Sequence, residues 1–374
     1  MQVSIQRPDV PVWDLPVRLF HWALVACVTV AVATGLFFPA NWLSVHVWAG
    51  ASIGGLILAR LVWGLTGSTY ARFANFTLSP SAVITHLRDI QSGRVHREGG
   101  HNALGAWMVV TLLVTLSLIL LTGALMLGGA FKQGPGKGFI SFATGDLMRE
   151  PHELLAYALL AFVAAHIAGM AFESRRSGEN LAKAMVTGRK VAGFVPATRS
   201  FSARAGLAAA MVGLAGAGVV GAGVFANALP PKGVRAVALD AGWKTDCGDC
   251  HMAFHPTLLP AQSWTKLMSS LDDHFGEDAS LPAGKVAAIT AFLTANSAEN
   301  SDSFAANRFR RVDAERPLEI TATPFWTHRH SELADAVFKA PPVNSKQNCA
   351  ACHGDAETGT FAPQQISIPQ ETKQ

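Results

Sequence analysis

Two short strings in the sequence combine cysteine and histidine at a spacing that suits iron chemistry. Cys247-Gly248-Asp249-Cys250-His251 and Cys349-Ala350-Ala351-Cys352-His353 each hold two thiols, followed directly by a histidine. This pattern attaches a c-type haem, because the thiols bond to the haem vinyl groups and the histidine supplies an axial nitrogen. A zinc ribbon is the alternative, but its Cys pairs lie about 15 to 20 residues apart, whereas Cys250 and Cys349 are 99 positions apart. We therefore predict two covalently bound c haems.

The composition excludes an ordinary soluble enzyme. Of the 374 residues, 50% are hydrophobic and 15% are charged, against roughly 25% charged in typical soluble domains. Each of the longest apolar runs is able to supply a membrane span of about 20 residues. These runs cover residues 18–37, 46–65, 103–127, 153–172 and 205–226. The sequence thus predicts an all-α membrane protein with five spanning helices and a mostly α or irregular C-terminal domain.

The distribution of charge predicts the orientation. Up to Asn227 the chain has 17 Lys and Arg against 9 Asp and Glu, and after it 13 against 17, so the two parts carry +8 and −4. The connections 66–102 and 173–204 hold most cations of the first part, which predicts that they and the N-terminus are cytoplasmic. The C-terminal part is then periplasmic, on the side of the bacterial inner membrane where c haems are attached. We expect domains at 8–200 and 243–374, joined by a fifth helix and linker at 201–242.

Four histidines fall inside the predicted spans, namely His21, His46, His152 and His166. A histidine in the bilayer is costly and usually functional, although one alone is also explained by hydrogen bonding between helices. His152 and His166 are 14 residues apart, so about 1,400° of helical rotation brings both to one face, with about 21 Å of rise. Matching depths pairs His21 with His166 and His46 with His152. The sequence therefore predicts two non-covalent b haems, stacked across the membrane.

Two segments carry a family resemblance. Val12-Trp13-Asp14-Leu15-Pro16-Val17-Arg18-Leu19-Phe20-His21-Trp22 and Gly100-His101-Asn102-Ala103-Leu104-Gly105 resemble the bacterial cytochrome b561 family, relatives of the hydrogenase cytochrome b subunit. The resemblance covers about residues 8–200. It implies a four-helix bundle with two b haems on ligands from spans one, two and four, and electron exchange with quinone. The carried-over ligands are the same four histidines; the fifth span and the appended domain depart from the family.

Two further side chains lie near the predicted inner haem. Arg60 is 14 residues after His46, which places it on the same helix face at inner depth. We predict that it pairs with a haem propionate, the alternative being that it reaches the lipid headgroups. His101 belongs to the family motif, but it precedes span three at the inner surface, where water is able to satisfy it. His101 is therefore left out of the ligand set.

The C-terminal part has short predicted helices at 260–273, 283–295 and 331–338 and few apolar runs, so its core is expected to be thin and filled by cofactors. Residues 264–277 and 323–330 resemble the dihaem cytochrome c family, a resemblance that covers about residues 243–362. It implies His274 and His330 as the second axial ligands. His255 and His328 remain as candidates that are better explained as exposed loop residues, and Met268 as one that packs on a helix face.

These features indicate an electron-transfer protein that connects the quinone pool, through two b and two c haems, with a periplasmic redox partner. The family context suggests a small oxygen-binding monohaem cytochrome as this partner. Membrane lipid is a further partner, nothing indicates nucleic acid, and homo-oligomers stay open. The alternatives are a superoxide:quinone oxidoreductase, which some cytochrome b561 relatives resemble, a dihaem peroxidase and a redox sensor. The sensor is disfavoured, because only the loop 173–204 would serve as its cytoplasmic output.

Overall fold

The computed structural model describes residues 9–235, 237 and 241–369. It divides into two compact units. The first contains residues 9–38, 45–123 and 149–222, and the second contains residues 39–44, 124–148 and 223–369. Parts of the predicted domains lie outside the described residues. These are residue 8 of the first domain, residues 236 and 238–240 of the linker, and residues 370–374 of the last domain.

The membrane part consists of eight helices within the described ranges, and it also has two short strands. They are β1 Asp9–Pro11, α1 Leu15–Leu36, α2 Leu43–Thr66, α3 Pro80–Gln91, α4 Ala103–Gly129, α5 Phe142–Leu147, α6 Arg149–Ser177, α7 Leu181–Thr187, β2 Arg189–Val191 and α8 Ala205–Ala228. Among the described residues, α1, α2, α4, α6 and α8 are long and apolar enough to cross a membrane. The prediction of five spanning helices is confirmed, and the chain is a multi-pass membrane protein.

Four of these helices share one apolar core. Ile53 of α2, Leu116 of α4 and Leu159 of α6 are buried together, and Leu24 and Cys27 of α1 pack against them. Each helix is apolar around most of its circumference, as expected where lipid replaces water. Helices α1, α2, α4 and α6 thus form the expected four-helix bundle.

The start of α1 is fixed to the end of α2. Asp14 Oδ1 accepts a hydrogen bond from the Val17 amide at 3.0 Å, which caps α1. Its Oδ2 accepts from Trp63 Nε1 at 2.9 Å and from Ser68 Oγ at 2.5 Å. Just before this cap, β1 pairs antiparallel with β2, a contact that joins chain segments far apart in sequence. One carboxylate therefore aligns two spanning helices at the end that carries His21.

The second unit has a larger core than the sequence suggested. Its described helices are α9 Ala241–Gly248, α10 Ala261–Met268, α11 Ala283–Ala295, α12 Phe304–Phe309, α13 Pro324–Arg329 and α14 Asp335–Lys339. Trp243, Leu258, Leu259, Trp264 and Leu293 are buried together. The sequence missed α9, α12 and α13, because helices of eight or six residues are too short for a clear periodicity. The predicted helix at 331–338 begins only at residue 335.

The connection between α4 and α6 also belongs to the second unit. Asp302 Oδ2 accepts hydrogen bonds from Lys132 Nζ at 2.7 Å and from the Phe142 amide at 2.8 Å. Arg308 pairs with Asp146. Two ion pairs thus fix the C-terminal part to the segment that joins two spanning helices.

Candidate haem-binding sites

His46 near the start of α2 and His152 near the start of α6 face each other. Their ring centres are 6.2 Å apart and their planes are inclined at 72°. Two metal–imidazole bonds of about 2.0 Å on opposite sides of one metal, plus roughly 1.1 Å from each nitrogen to its ring centre, give about 6.2 Å. The two rings are therefore spaced to ligate one iron between them.

Backbone carbonyls of neighbouring helices orient both rings. Nδ1 of His46 lies 3.0 Å from the carbonyl oxygen of Ala31 on α1. Nδ1 of His152 lies 3.1 Å from the carbonyl oxygen of Ile119 on α4. Since a carbonyl oxygen accepts hydrogen bonds and cannot donate them, each Nδ1 carries the proton. Each Nε2 then keeps its lone pair free, which is the form that binds a metal.

His21 lies near the start of α1, and His166 lies in the C-terminal half of α6. Nδ1 of His21 is buried and has no hydrogen-bond partner within the described ranges. This pair differs in that respect from the His46–His152 pair, in which both Nδ1 atoms are held.

Arg60 of α2 is buried, with 4% of its surface exposed. One guanidinium nitrogen donates to the carbonyl oxygen of Ala71 at 3.1 Å, and the group lies 4.6 Å from the centre of the Phe73 ring. The side chain therefore points into the protein and not towards lipid headgroups. A buried guanidinium favours an anionic partner, such as a haem propionate.

His101 is less accessible to water than the sequence-based expectation assumed, because its ring is half-buried. Its ring lies between those of Trp13, at 4.8 Å, and Phe76, at 5.1 Å. Its Nδ1 is buried and unpartnered in the described part of the chain. Burial, followed by the nearby charge of Arg60, lowers the pKa of His101 to about 3. His101 is thus a neutral, half-buried imidazole. Its neighbours Trp13, just before α1, and Phe76, in the loop before α3, come from segments that the sequence pattern did not bring together.

In the second unit, His251 faces His274. Their ring centres are 6.1 Å apart, with an angle of 23° between the planes. Nδ1 of His251 lies 2.9 Å from the carbonyl oxygen of Met252. His274 also lines a cavity of about 180 Å³ together with Leu267 and Phe275. The separation again matches two imidazoles on one metal.

A tight turn presents His274. Its amide donates to the carbonyl oxygen of Glu277 at 2.8 Å, and the Gly276 amide donates to Asp273 Oδ1 at 3.1 Å. Phe275 has a φ of 56° and Gly276 a φ of 94°, conformations that glycine adopts easily and phenylalanine does not. The turn thus holds the imidazole away from any regular helix, which explains why helical periodicity does not reveal it.

His330 and His353 form a third ring pair, 6.2 Å apart and inclined at 70°. Nδ1 of His330 lies 2.9 Å from the carbonyl oxygen of Trp326, and the Trp326 ring stacks on the imidazole at 4.4 Å. The ring centre of Phe361 lies 5.2 Å from that of His353. An aromatic ring therefore contacts each member of this pair.

The thiols fit covalent attachment next to these rings. The cysteines that the structure describes are free, with Cys250 exposed and with Cys247, Cys349 and Cys352 partly buried. Burial raises the pKa of the Cys349 thiol to about 11, so this group is protonated at neutral pH. The residues present thus fit two c haems, each with two thiols and two imidazoles.

The remaining candidate ligands lie apart from these pairs. His255 is buried, contrary to expectation, because its Nδ1 bonds with Thr257 Oγ1 at 2.8 Å and its ring packs against Gly359. His328 is exposed, and Met268 is buried in the apolar core. Both of these have the environment that the sequence suggested.

The arrangement defines a class: a membrane-embedded electron-transfer cytochrome with both b-type and c-type haem. Residues 12–188 match the prokaryotic cytochrome b561 family, and residues 243–361 match the dihaem cytochrome c family, DHC. The C-terminal part belongs to the dihaem cytochrome c family, and the chain joins it to a region that matches the cytochrome b561 family.

Solved structures of dihaem cytochromes are similar to the second part. DHC purified from Rhodobacter sphaeroides is 37% identical over 33% of this chain and 98% of that chain, with a TM-score of 0.25. A second structure of a dihaem cytochrome c from Rhodobacter sphaeroides is 40% identical over 33% and 98%, with a TM-score of 0.29. The dihaem cytochrome from Shewanella baltica OS155 is 30% identical over 35% and 93%, with a TM-score of 0.28. No curated protein matches the chain.

Proposed function

We propose that this cytochrome transfers electrons across the bacterial inner membrane, between the quinone pool and a periplasmic redox protein. Two b haems on His21 with His166 and on His46 with His152, and two c haems on the Cys-x-x-Cys-His strings, form the route. When bound, the haems supply the centres that accept and release single electrons. The residues of the chain position these centres, exclude water and set their potentials.

The observation that carries this proposal is the recurrence of one ring separation. The three described pairs His46–His152, His251–His274 and His330–His353 have ring centres 6.1 to 6.2 Å apart. Two imidazoles that both bound the iron of one haem would leave no position for oxygen or peroxide. This favours electron transfer over the peroxidase alternative. It also supports His274 and His330 as second ligands.

The connection between α4 and α6 packs with the dihaem part inside the second unit. The ring centre of Phe304 lies 6.1 Å from those of both Phe131 and Phe142, which belong to this connection. It also lies 5.8 Å from that of Phe325. Together with the two ion pairs described above, these rings support the assignment of the connection and the c haems to one side of the membrane.

Loop charge supports the proposed orientation. The connections 66–102 and 173–204 carry the cations expected on the cytoplasmic side. The C-terminal part, with its excess of acidic residues, would then face the periplasm. A small periplasmic cytochrome with a basic surface is the kind of partner that an acidic domain attracts.

Reduction by quinol tests the route. In the full chain in lipid nanodiscs, we expect His46→Ala to lose one b haem and to slow quinol-driven reduction of the c haems at least tenfold. His96→Ala, at an exposed histidine after α3, is the control and should reduce at the normal rate. If the c haems of His46→Ala were reduced as fast as those of the control, the proposed route would be wrong. Reduction by superoxide that bypasses the c haems would favour the superoxide:quinone alternative.

A further inference from the structure

Two threonine–glycine pairs contact the histidines of the His46–His152 site. Thr34 and Gly35 lie near the end of α1, and Thr122 and Gly123 lie near the end of α4. Each pair meets the histidine of the next spanning helix. We refer to the two dipeptides as the Thr-Gly cradles.

The hydroxyl of each cradle accepts a hydrogen bond from an imidazole. Thr34 Oγ1 and Thr122 Oγ1 donate to carbonyl oxygens four residues earlier in their own helices, at 2.7 and 2.9 Å. A hydroxyl has one proton, so each oxygen keeps lone pairs for a further donor. Thr34 Oγ1 lies 3.3 Å from Nδ1 of His46, and Thr122 Oγ1 lies 3.1 Å from Nδ1 of His152. Each Nδ1 proton is thus shared between a carbonyl and a hydroxyl oxygen.

The glycine of each cradle leaves space for the ring. A Cβ atom at Gly35 would lie 3.1 Å from Cε1 of His46, and one at Gly123 would lie 3.0 Å from Cε1 of His152. Carbon atoms in favourable contact are about 3.5 to 4.0 Å apart. An alanine at either position would therefore require the imidazole to shift by a few tenths of an ångström.

We propose that the Thr-Gly cradles are positioning elements of one b haem, which fix the tautomer and the ring planes of both axial ligands and lower the reduction potential of that haem. The inference rests on the proposed ligation of a haem by His46 and His152. An acceptor at Nδ1 makes an imidazole a stronger electron donor to the iron. Stronger donation stabilises the ferric form, which lowers the potential.

The test is a potentiometric titration of Thr34→Val, Thr122→Val and the double variant in the full chain. Valine keeps the branched shape and removes the oxygen, whereas the carbonyl acceptor of each Nδ1 remains. We expect an unchanged b-haem content and a positive shift of one b component, larger in the double variant. The other b component and the c haems should keep their potentials. Thr34→Ser and Thr122→Ser should restore the original potential, because serine supplies the same acceptor.

Thr29→Val is the matched control. Thr29 is also on α1, and its hydroxyl also donates to the carbonyl four residues earlier, at 2.8 Å. If Thr34→Val and Thr122→Val left both b potentials equal to those of Thr29→Val, the proposal would be overturned. If a valine variant lost haem, the serine variant must recover both the haem and the original potential, and failure to do so would overturn it equally.

Electron paramagnetic resonance provides a second readout. The mutual orientation of two axial imidazole planes determines the g-values of a low-spin ferric haem, so Gly35→Ala and Gly123→Ala should change the largest g-value of one b component. Unchanged g-values in both would contradict the role of the glycines. The His46→Ala variant separates this proposal from the ligation itself: if it retained both b haems, the ligation would be wrong, whatever the cradle variants show.

Discussion

Asp302→Asn is expected to loosen the dihaem part from the connection between α4 and α6. The Lys132 side chain is 7% exposed and that of Asp302 is 29% exposed, so the substitution leaves a nearly buried ammonium group. Breaking a fully buried pair costs about 3 to 5 kcal/mol. The partial exposure of Asp302 and the second acceptor of Lys132, the Ile140 carbonyl at 3.1 Å, reduce the expected cost to about 2 to 3 kcal/mol.

The Phe142 amide reports the loss of the Asp302–Lys132 ion pair directly, because it donates to Asp302 Oδ2 at 2.8 Å. A local opening that becomes easier by about 2 to 3 kcal/mol should accelerate its hydrogen exchange roughly 30- to 140-fold, at about 1.4 kcal/mol per factor of ten. Exchange of this amide is measured by mass spectrometry on the peptide that contains it. Amides in the middle of α4 should keep their rates.

Asp335→Asn is the control for removing a carboxylate from the same part of the chain. Asp335 pairs with Lys346 at 3.0 Å, but both side chains are largely exposed. Exposed pairs contribute little, so exchange at Phe142 should not change in this variant. If Asp302→Asn also left the exchange of Phe142 unchanged, the ion pair would not hold the dihaem part in place.

Three further predictions concern the haem sites and their surroundings. A pyridine haemochrome assay should give two b and two c haems per chain. A result of one b haem would show that one of the two membrane histidine pairs does not bind a haem. His330→Ala should convert the second c haem to a high-spin form while its thioethers hold it, whereas His328→Ala, at an exposed neighbour, should leave the optical spectrum unchanged; a low-spin spectrum in both would exclude His330. Burial lowers the pKa of His255 to about 4, below about 6.5 in an unfolded chain. Protonation then favours unfolding, so about 3 kcal/mol of stability is lost as the pH falls from about 6.5 to 4. Urea unfolding at pH 7 and 4.5 measures this loss in the unmodified protein and in His255→Gln. The variant should lack the loss, and an equal loss in both proteins would show that His255 is not its source.

The sequence predicts the features that depend on short segments. A membrane span is recognised by its own length and apolarity, and the spans at 18–37 and 103–127 correspond to α1 and α4. The Cys-x-x-Cys-His strings are equally local, because thioether attachment needs two thiols at a fixed separation. The prediction that His152 and His166 share one helix face required only their separation of 14 residues and the pitch of an α-helix.

Features that depend on distant segments were not predictable in this way. Thr34 has the sequence context of an ordinary threonine in an apolar span, since its hydroxyl bonds within its own helix. Its second contact, with His46, becomes visible only when α1 and α2 are known to be neighbours. His255 is similar: Gly359, which packs against its ring, is about 100 residues away in the chain.

The three ring pairs share one separation between ring centres but differ in the angle between the ring planes. A helix bundle and an irregular domain share no framework, yet both hold imidazoles at 6.1 to 6.2 Å, with plane angles of 72°, 23° and 70°. The common distance suits two imidazoles on one metal, as proposed above. The acceptors that orient the rings differ: a carbonyl of another helix for His46, of the next residue for His251 and of the residue four positions earlier for His330. If all the haems have two imidazole ligands, ligand type does not distinguish their potentials. Under the proposed ligation, differences between the potentials would then come from neighbouring groups, of which Thr34 Oγ1 is one.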